Sequence, residues 1–197
     1  MSDMNTTLRE YGLIPVIVLS DPSQAIGLGR ALLDGGLPVA EITLRSGAGL
    51  EGIRKMSAEY PEMLVGAGTV LSVDQAEKSI DAGARFVVTP GFSEDVVSLC
   101  IRKGVPIYPG ISGTEGIEAA RAHGLSTVKF FPAQQSGGVP MLKALSGPYS
   151  GISFIPTGGV SLANVRDYLA LPSVVACGGS WLAPKKAVAE EQFDTIA

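Results

Sequence analysis

Phe86-Val87-Val88-Thr89-Pro90-Gly91-Phe92-Ser93 leads into a segment that runs to Gly104, and Ile107-Tyr108-Pro109 follows it. The first run is apolar on both faces, as a strand buried from both sides must be. Pro90 and Gly91 then turn the chain, Ser93 caps a helix, Gly104 ends it, and a second apolar run returns to the sheet. Strand, crossover helix and strand make one unit of a parallel sheet. The same pattern recurs outward in both directions. Apolar runs stand at Ile14–Leu19, Val39–Leu44, Leu64–Gly68, Phe86–Thr89, Ile107–Pro109, Thr127–Phe131, Ser153–Pro156 and Val174–Gly178. Their starts lie about 20 to 26 residues apart, the length of one strand, one turn and one helix. Asp21-Pro22 opens a helical segment that Gly35-Gly36 closes, Ser72 caps one ending near Gly83, and Ser161 caps one ending near Pro172. Eight even units predict an α/β chain folded as a small (β/α)8 TIM barrel of eight parallel strands, a single domain over residues 1–197, with an open doubly wound sheet as the other arrangement. Phe193 to Ala197 reads as an eighth outer helix that stops early. By that reading the chain is clipped, or a neighbouring subunit covers the apolar wall.

Composition narrows the function classes. The 197 residues are 46% apolar and 17% charged, against about 25% charged in an average soluble protein, so the chain is not a disordered one. Fifteen Lys plus Arg face nineteen Asp plus Glu, a net charge of −4 with no block of one sign, which argues against a nucleic-acid partner. No apolar stretch approaches the roughly 20 residues that span a bilayer, and Met1 to Glu10 is too polar for a signal peptide. The expectation is a cytoplasmic protein with no membrane partner. Cys100 and Cys177 read as free buried thiols on a helix and a strand. A single His and no paired Cys give too few ligands for zinc, with carboxylate-bound magnesium the remaining metal alternative; the expectation is no metal and no cofactor.

A β/α barrel carries its chemistry at the C-terminal ends of its strands, so polar residues inside the apolar runs are the informative ones. Lys129 is the only one of seven lysines inside such a run, and Glu41 the only one of nineteen acids. Burial disfavours an ammonium, and the neutral amine is the form that attacks a carbonyl. Glu41, Thr43 and Arg45 share one face by the strand period of two, which would aim a carboxylate and a guanidinium at the same cavity as Lys129. The bland alternatives are a lysine that snorkels to solvent and a structural ion pair. Glycines crowd the strand ends: Gly66-Ala67-Gly68-Thr69, Thr89-Pro90-Gly91, Pro109-Gly110-Ile111-Ser112, Thr157-Gly158-Gly159-Val160-Ser161 and Gly178-Gly179-Ser180. The last two follow strands seven and eight, where barrels commonly bind phosphate through backbone amides; the alternative is that they only turn the chain. Gly27-Leu28-Gly29 sits inside a helix and lacks the third glycine of a dinucleotide fingerprint. His123 reads as a helix-terminal residue and Trp181 as wall packing.

The strings Glu41-Ile-Thr-Leu-Arg-Ser46, Val65-Gly-Ala-Gly-Thr-Val-Leu71, Val128-Lys-Phe-Phe-Pro-Ala133, Pro156-Thr-Gly-Gly-Val-Ser161 and Cys177-Gly-Gly-Ser-Trp-Leu182 resemble those of the 2-keto-3-deoxy-6-phosphogluconate aldolases. The likeness runs from about Ile14 to Asp194. It implies a homotrimeric barrel that reversibly cleaves this keto-acid sugar phosphate to pyruvate and glyceraldehyde 3-phosphate, with 4-hydroxy-2-oxoglutarate as a further substrate. By the resemblance, Lys129 carries a Schiff base and Glu41 shuttles protons. Arg45 and Thr69 hold the pyruvyl carboxylate, Phe131 lines the site, and Gly158, Gly159, Gly179 and Ser180 hold the phosphate. Gln134 departs from the pattern, since family members often carry an acid there. The competing readings are the same chemistry on the phosphogalactonate epimer, with Thr43-Leu44-Arg45 the discriminating segment; a metal-dependent sugar-phosphate epimerase or lyase; and a non-catalytic oligomeric scaffold.

Overall fold

Every strand pairing in the computed structural model, which describes residues 4–196, is parallel. The strands are β1 (Leu13–Ile17), β2 (Val39–Thr43), β3 (Leu64–Gly68), β4 (Phe86–Val88), β5 (Ile107–Tyr108), β6 (Gly110–Ile111), β7 (Thr127–Phe130), β8 (Ser153–Pro156) and β9 (Cys177–Gly179). They form one ladder in the order β5-β4-β3-β2-β1-β9 and another in the order β6-β7-β8. Two bridges, Phe154 to Val174 and Thr157 to Gly178, link β8 to the β9 side. On the other side β5 and β6 are one strand interrupted at Pro109, which has no N–H to give the ladder. Its carbonyl still accepts from the Lys129 N–H at 3.0 Å. The ring is therefore closed, and the doubly wound alternative falls.

Between the strands run α2 (Gln24–Asp34), α3 (Gly49–Glu59), α4 (Val73–Asp81), α5 (Glu94–Lys103), α6 (Thr114–Ala122), α7 (Gly138–Ser146) and α8 (Val165–Leu169), with α9 (Lys185–Ala189) after the last strand. Ala40 and Ile42 of β2 pack outward in one cluster with Leu28, Leu32, Ile53 and Met56. Val128 and Phe130 of β7 pack outward with Leu142 and Leu145. Ser72 accepts from the Gln75 N–H as an N-cap should, and Gly104 ends α5 in the left-handed region at φ +67°.

Four expectations need correcting. Strand pairing resumes beyond Pro109 at Gly110–Ile111, and the last strand is Cys177–Gly179 instead of Val174–Gly178. Ser161 does not cap α8; Asn164 occupies that place, and its Oδ1 accepts from the Ser161 N–H at 2.9 Å. Over the tail an α-helix is expected from Phe193. Phe193–Thr195 form a 3-10 turn, and the Phe193 ring fills the space beside Gly27 of α2, while Phe193 and Ile196 both join the outer core. Ala197 lies outside the described residues.

The N-terminal end of the ring is closed by α1 (Met4–Tyr11), an element the sequence reading did not foresee. Leu8 is wholly buried in one cluster with Ile14, Val39, Leu64, Phe86, Tyr108, Ile155 and Val175. Arg9 donates to the carbonyls of Pro172 and Val174, and the Tyr108 hydroxyl donates to Asn5 Oδ1 at 3.1 Å. The barrel thus has a packed floor under an open mouth.

Candidate active site

Strand period places Val39 and Glu41 on the inner face of β2, with Val39 in the floor and Glu41 one step nearer the mouth. Lys129 stands on β7, level with Gly110 and Ile155. The two polar side chains meet across the interior: Lys129 Nζ donates to Glu41 Oε1 at 3.3 Å, with side-chain exposures of only 7% and 3%. The snorkelling alternative is thereby excluded. Glycine makes the room for this meeting. Over Gly66 of β3 the Phe86 ring occupies the space a Cβ would take, and over Gly68 the Glu41 carboxylate does. Phe86 stacks edge-on against Tyr108 with centroids 6.0 Å apart.

Around this pair stand the other residues flagged in the sequence. Phe131 follows β7, and its ring centroid lies 5.1 Å from Lys129 Nζ, within cation–π range. The same ring would touch a Cβ at Gly158, so it links the amine to the loop after β8. Thr69 follows β3, half-buried, with a φ of +56°. A β-branched residue in the left-handed region is a strained conformation of the kind that gathers at ligand sites. The Leu44 N–H donates to the Gly68 carbonyl at 2.8 Å, which sets the ends of β2 and β3 side by side. Arg45 departs from expectation. It lies past the end of β2 in a turn, exposed, with no ion pair to Glu41; the strand period stops at Thr43, whose hydroxyl donates to the Ile17 carbonyl at 2.7 Å.

The bridge from Thr157 to Gly178 sets the two glycine loops next to each other. Gly158 and Gly159 have φ of +94° and +73°, a conformation that glycine alone adopts freely. The Gly158 carbonyl accepts from the Gln134 N–H and the Gly159 carbonyl from Asn164 Nδ2, each at 3.0 Å. Across a trans peptide the N–H points opposite the carbonyl, so the N–H groups of Gly159 and Val160 face away from these two partners. Gly179 ends β9 and lies under the Trp181 ring, and Ser180 is exposed at the start of a 3-10 turn. Gln134 sits behind the first loop, its Oε1 accepting from the Tyr168 hydroxyl at 2.9 Å.

Beside Phe131 a cleft of about 540 Å³ opens between the ends of β4, β6 and β7, lined also by Pro90, Gly91, Phe92, Ser112 and Thr114. A second depression of about 400 Å³, near Lys143, Ser146, Tyr149 and Ser173, holds none of the interior polar residues. Among the described residues, no group of three His, Cys, Asp or Glu is arranged to hold a metal ion, and no helix is long and apolar enough to cross a membrane. Both thiols are buried, which pushes Cys100 up to about 11 and Cys177 up to about 12. His123 follows α6, Nδ1 2.9 Å from the Ala119 carbonyl and its ring against Phe92, a structural placement.

Three placements had no signal in the sequence beyond residue type. They are the seat of Glu41 over Gly68, the left-handed Thr69, and Thr157, whose buried side chain fills the space beside Gly178.

The family model described as KDPG and KHG aldolase matches residues 4–197. The chain belongs to the KDPG and KHG aldolase family. It is 48% identical to the 2-dehydro-3-deoxy-phosphogluconate aldolase of Haemophilus influenzae, over 96% of this chain and 89% of that one. It is 43% identical to the KHG/KDPG aldolase of Escherichia coli K12, over 93% and 86%. Among solved structures it resembles the KDPG aldolase of Legionella pneumophila, which holds pyruvate as a covalent carbinolamine intermediate. The TM-score is 0.95 at 34% identity, covering all of this chain and 96% of that one.

Proposed function

We propose that this member of the KDPG and KHG aldolase family is a class I aldolase that cleaves 2-keto-3-deoxy-6-phosphogluconate to pyruvate and glyceraldehyde 3-phosphate. The observation that carries the reading is the buried contact of Lys129 Nζ and Glu41 Oε1 at the open end of the barrel. A proton passed from the ammonium to Glu41 frees the amine, whose lone pair attacks C2 of the keto acid. The carbinolamine loses water to give an iminium. A base then takes the C4 hydroxyl proton, the C3–C4 bond breaks, the aldehyde departs, and the bond's electron pair enters the enamine instead of forming an unstabilised carbanion. Reprotonation at C3 and hydrolysis release pyruvate and restore the amine. Each of these steps moves a proton, and Glu41 is the carboxylate in reach.

Arg45 and Thr69, at the adjacent ends of β2 and β3, are assigned to the substrate carboxylate, Arg45 swinging in from solvent as a planar fork. Phe131 walls the reacting centre. Gly158, Gly159, Gly179 and Ser180 are assigned to the phosphate, bound by neutral donors at two neighbouring strand ends. The name of the Escherichia coli relative supports 4-hydroxy-2-oxoglutarate as a second substrate. The proposal includes a homotrimer, a cytoplasmic location and no nucleic-acid partner. The trimer rests on the family resemblance, and the exposed Leu71 and Leu162 are apolar surface that an assembly would cover. A cleavage assay on the purified chain tests the whole reading. Pyruvate and glyceraldehyde 3-phosphate in equal amounts from the gluconate support it. Preference for the galactonate epimer transfers the chemistry to that substrate, and no product from either leaves the scaffold reading.

A further inference from the structure

Gly68 lies in register with Thr43, and Glu41 is in register with Gly66, so the Glu41 side chain climbs toward the mouth to lie over Gly68. A Cβ on Gly68 would overlap Oε1 and come within 2.7 Å of Cγ and 2.9 Å of Cδ, all three atoms belonging to that one carboxylate arm. One step below, the equivalent space over Gly66 is filled by the Phe86 ring. The carboxylate therefore has no second place on β3 beneath the first. Gly68 is a strand residue outside the left-handed region, so its backbone would accept alanine and its glycine is explained by what lies over it. The oxygen that a methyl would evict is the one that pairs with Lys129.

We propose that Gly68 is a positioning residue for proton transfer: its bare face is the seat that holds the Glu41 carboxylate against the Lys129 amine. The assignment rests on the aldolase reading above. With pyruvate bound as an iminium, a C3–H bond breaks, the proton goes to a Glu41 oxygen, and the electron pair forms the C2–C3 double bond of the enamine while the iminium charge is neutralised. The reverse step in D2O returns a deuteron. A methyl at position 68 shifts the carboxylate by about 1 Å, a misplacement that can cost about 10²-fold in rate.

The experiment follows exchange of the pyruvate methyl protons in D2O by NMR, with borohydride trapping of the imine, in wild type, Gly68→Ala, Glu41→Ala and the double variant. Gly68→Ala is expected to reach the wild-type extent of trapping on Lys129 at the end of a long incubation, yet to exchange about 10- to 100-fold more slowly. Added to Glu41→Ala, the same methyl is expected to change exchange by less than about twofold, because the two act through one carboxylate. Should Gly68→Ala fail to fold, a folded double variant supports the seat, and an unfolded one overturns it. Wild-type exchange in Gly68→Ala, or equal loss in both backgrounds, overturns the role of Gly68 and leaves the aldolase reading standing. A wild-type chain that is never trapped overturns that reading, and this assignment with it.

Discussion

The two ends of this barrel are built from the same strands and differ in almost everything else. At the floor, Ile14, Val39, Leu64, Phe86, Tyr108 and Ile155 fill the interior with large apolar side chains, and Leu8 closes it from below. Farther toward the mouth Glu41 and Lys129 meet over Gly68, and Lys129, in register with Ile155, marks the level where the two layers join. The floor gains stability by burying area, about 1.5 to 3 kcal/mol for each large side chain. The mouth gives up that gain to seat a buried ion pair and leave space for a ligand, and a buried pair is often no more stabilising than an apolar replacement. Stability and chemistry are thus separated along one axis, and each is expected to respond to substitutions at its own end.

The sharpest way to break the comparison at the mouth is Glu41→Gln, which keeps the shape and removes the proton chemistry. Turnover is expected to fall by about 10² to 10⁴ while circular dichroism reports a folded chain. Near-normal turnover would move the proton carrier elsewhere. At the floor, Leu8→Ala is expected to lower unfolding stability in urea by about 2 to 5 kcal/mol and to leave kcat close to wild type. A large loss of kcat in a folded Leu8→Ala protein would show that the two ends are coupled.

Ser180→Ala sharpens the picture within the mouth. It is expected to cost about tenfold in kcat/KM for the phosphorylated substrate and little for 4-hydroxy-2-oxoglutarate, since it removes one donor to a charged group. Equal losses on both substrates would argue for general damage. The smallest effect belongs to the thiols. In the unfolded chain they ionise near the ordinary thiol value of 9.0, and in the folded one burial delays this to about 11 for Cys100 and about 12 for Cys177. Between those values the unfolded state binds fewer protons, so the stability they contribute is complete below pH 9 and declines as pH rises toward 11 and 12. Cys177→Ala should flatten part of that alkaline decline in a pH series of urea unfolding curves.

Much of this organisation is legible in the sequence, for physical reasons. Strands buried on both faces cannot hide a polar residue, so Lys129 and Glu41 stand out in their runs, and the even spacing of those runs announces the ring. Helix α1 escaped notice because it has only eight residues, and three apolar positions at helical spacing, Met4, Leu8 and Tyr11, make too short a pattern to stand out. The strand period places Arg45 on the inner face of β2, but the strand ends two residues earlier, at Thr43, so its side chain stands exposed past the strand end. Pro109 looked like an end and is an interruption, because losing one N–H breaks a ladder without turning the chain. Gly68 looked like any strand-end glycine, and only the approach of β2 shows that the space above it belongs to Glu41.

The central claim is that Lys129 is the amine that forms the imine. Incubation of the wild-type chain with pyruvate and borohydride, followed by proteolysis and mass mapping, measures it directly. One reduced pyruvate adduct on the peptide that contains Lys129, and none in Lys129→Ala, is the predicted result. An adduct on any other lysine, or no adduct in an active enzyme, would contradict it.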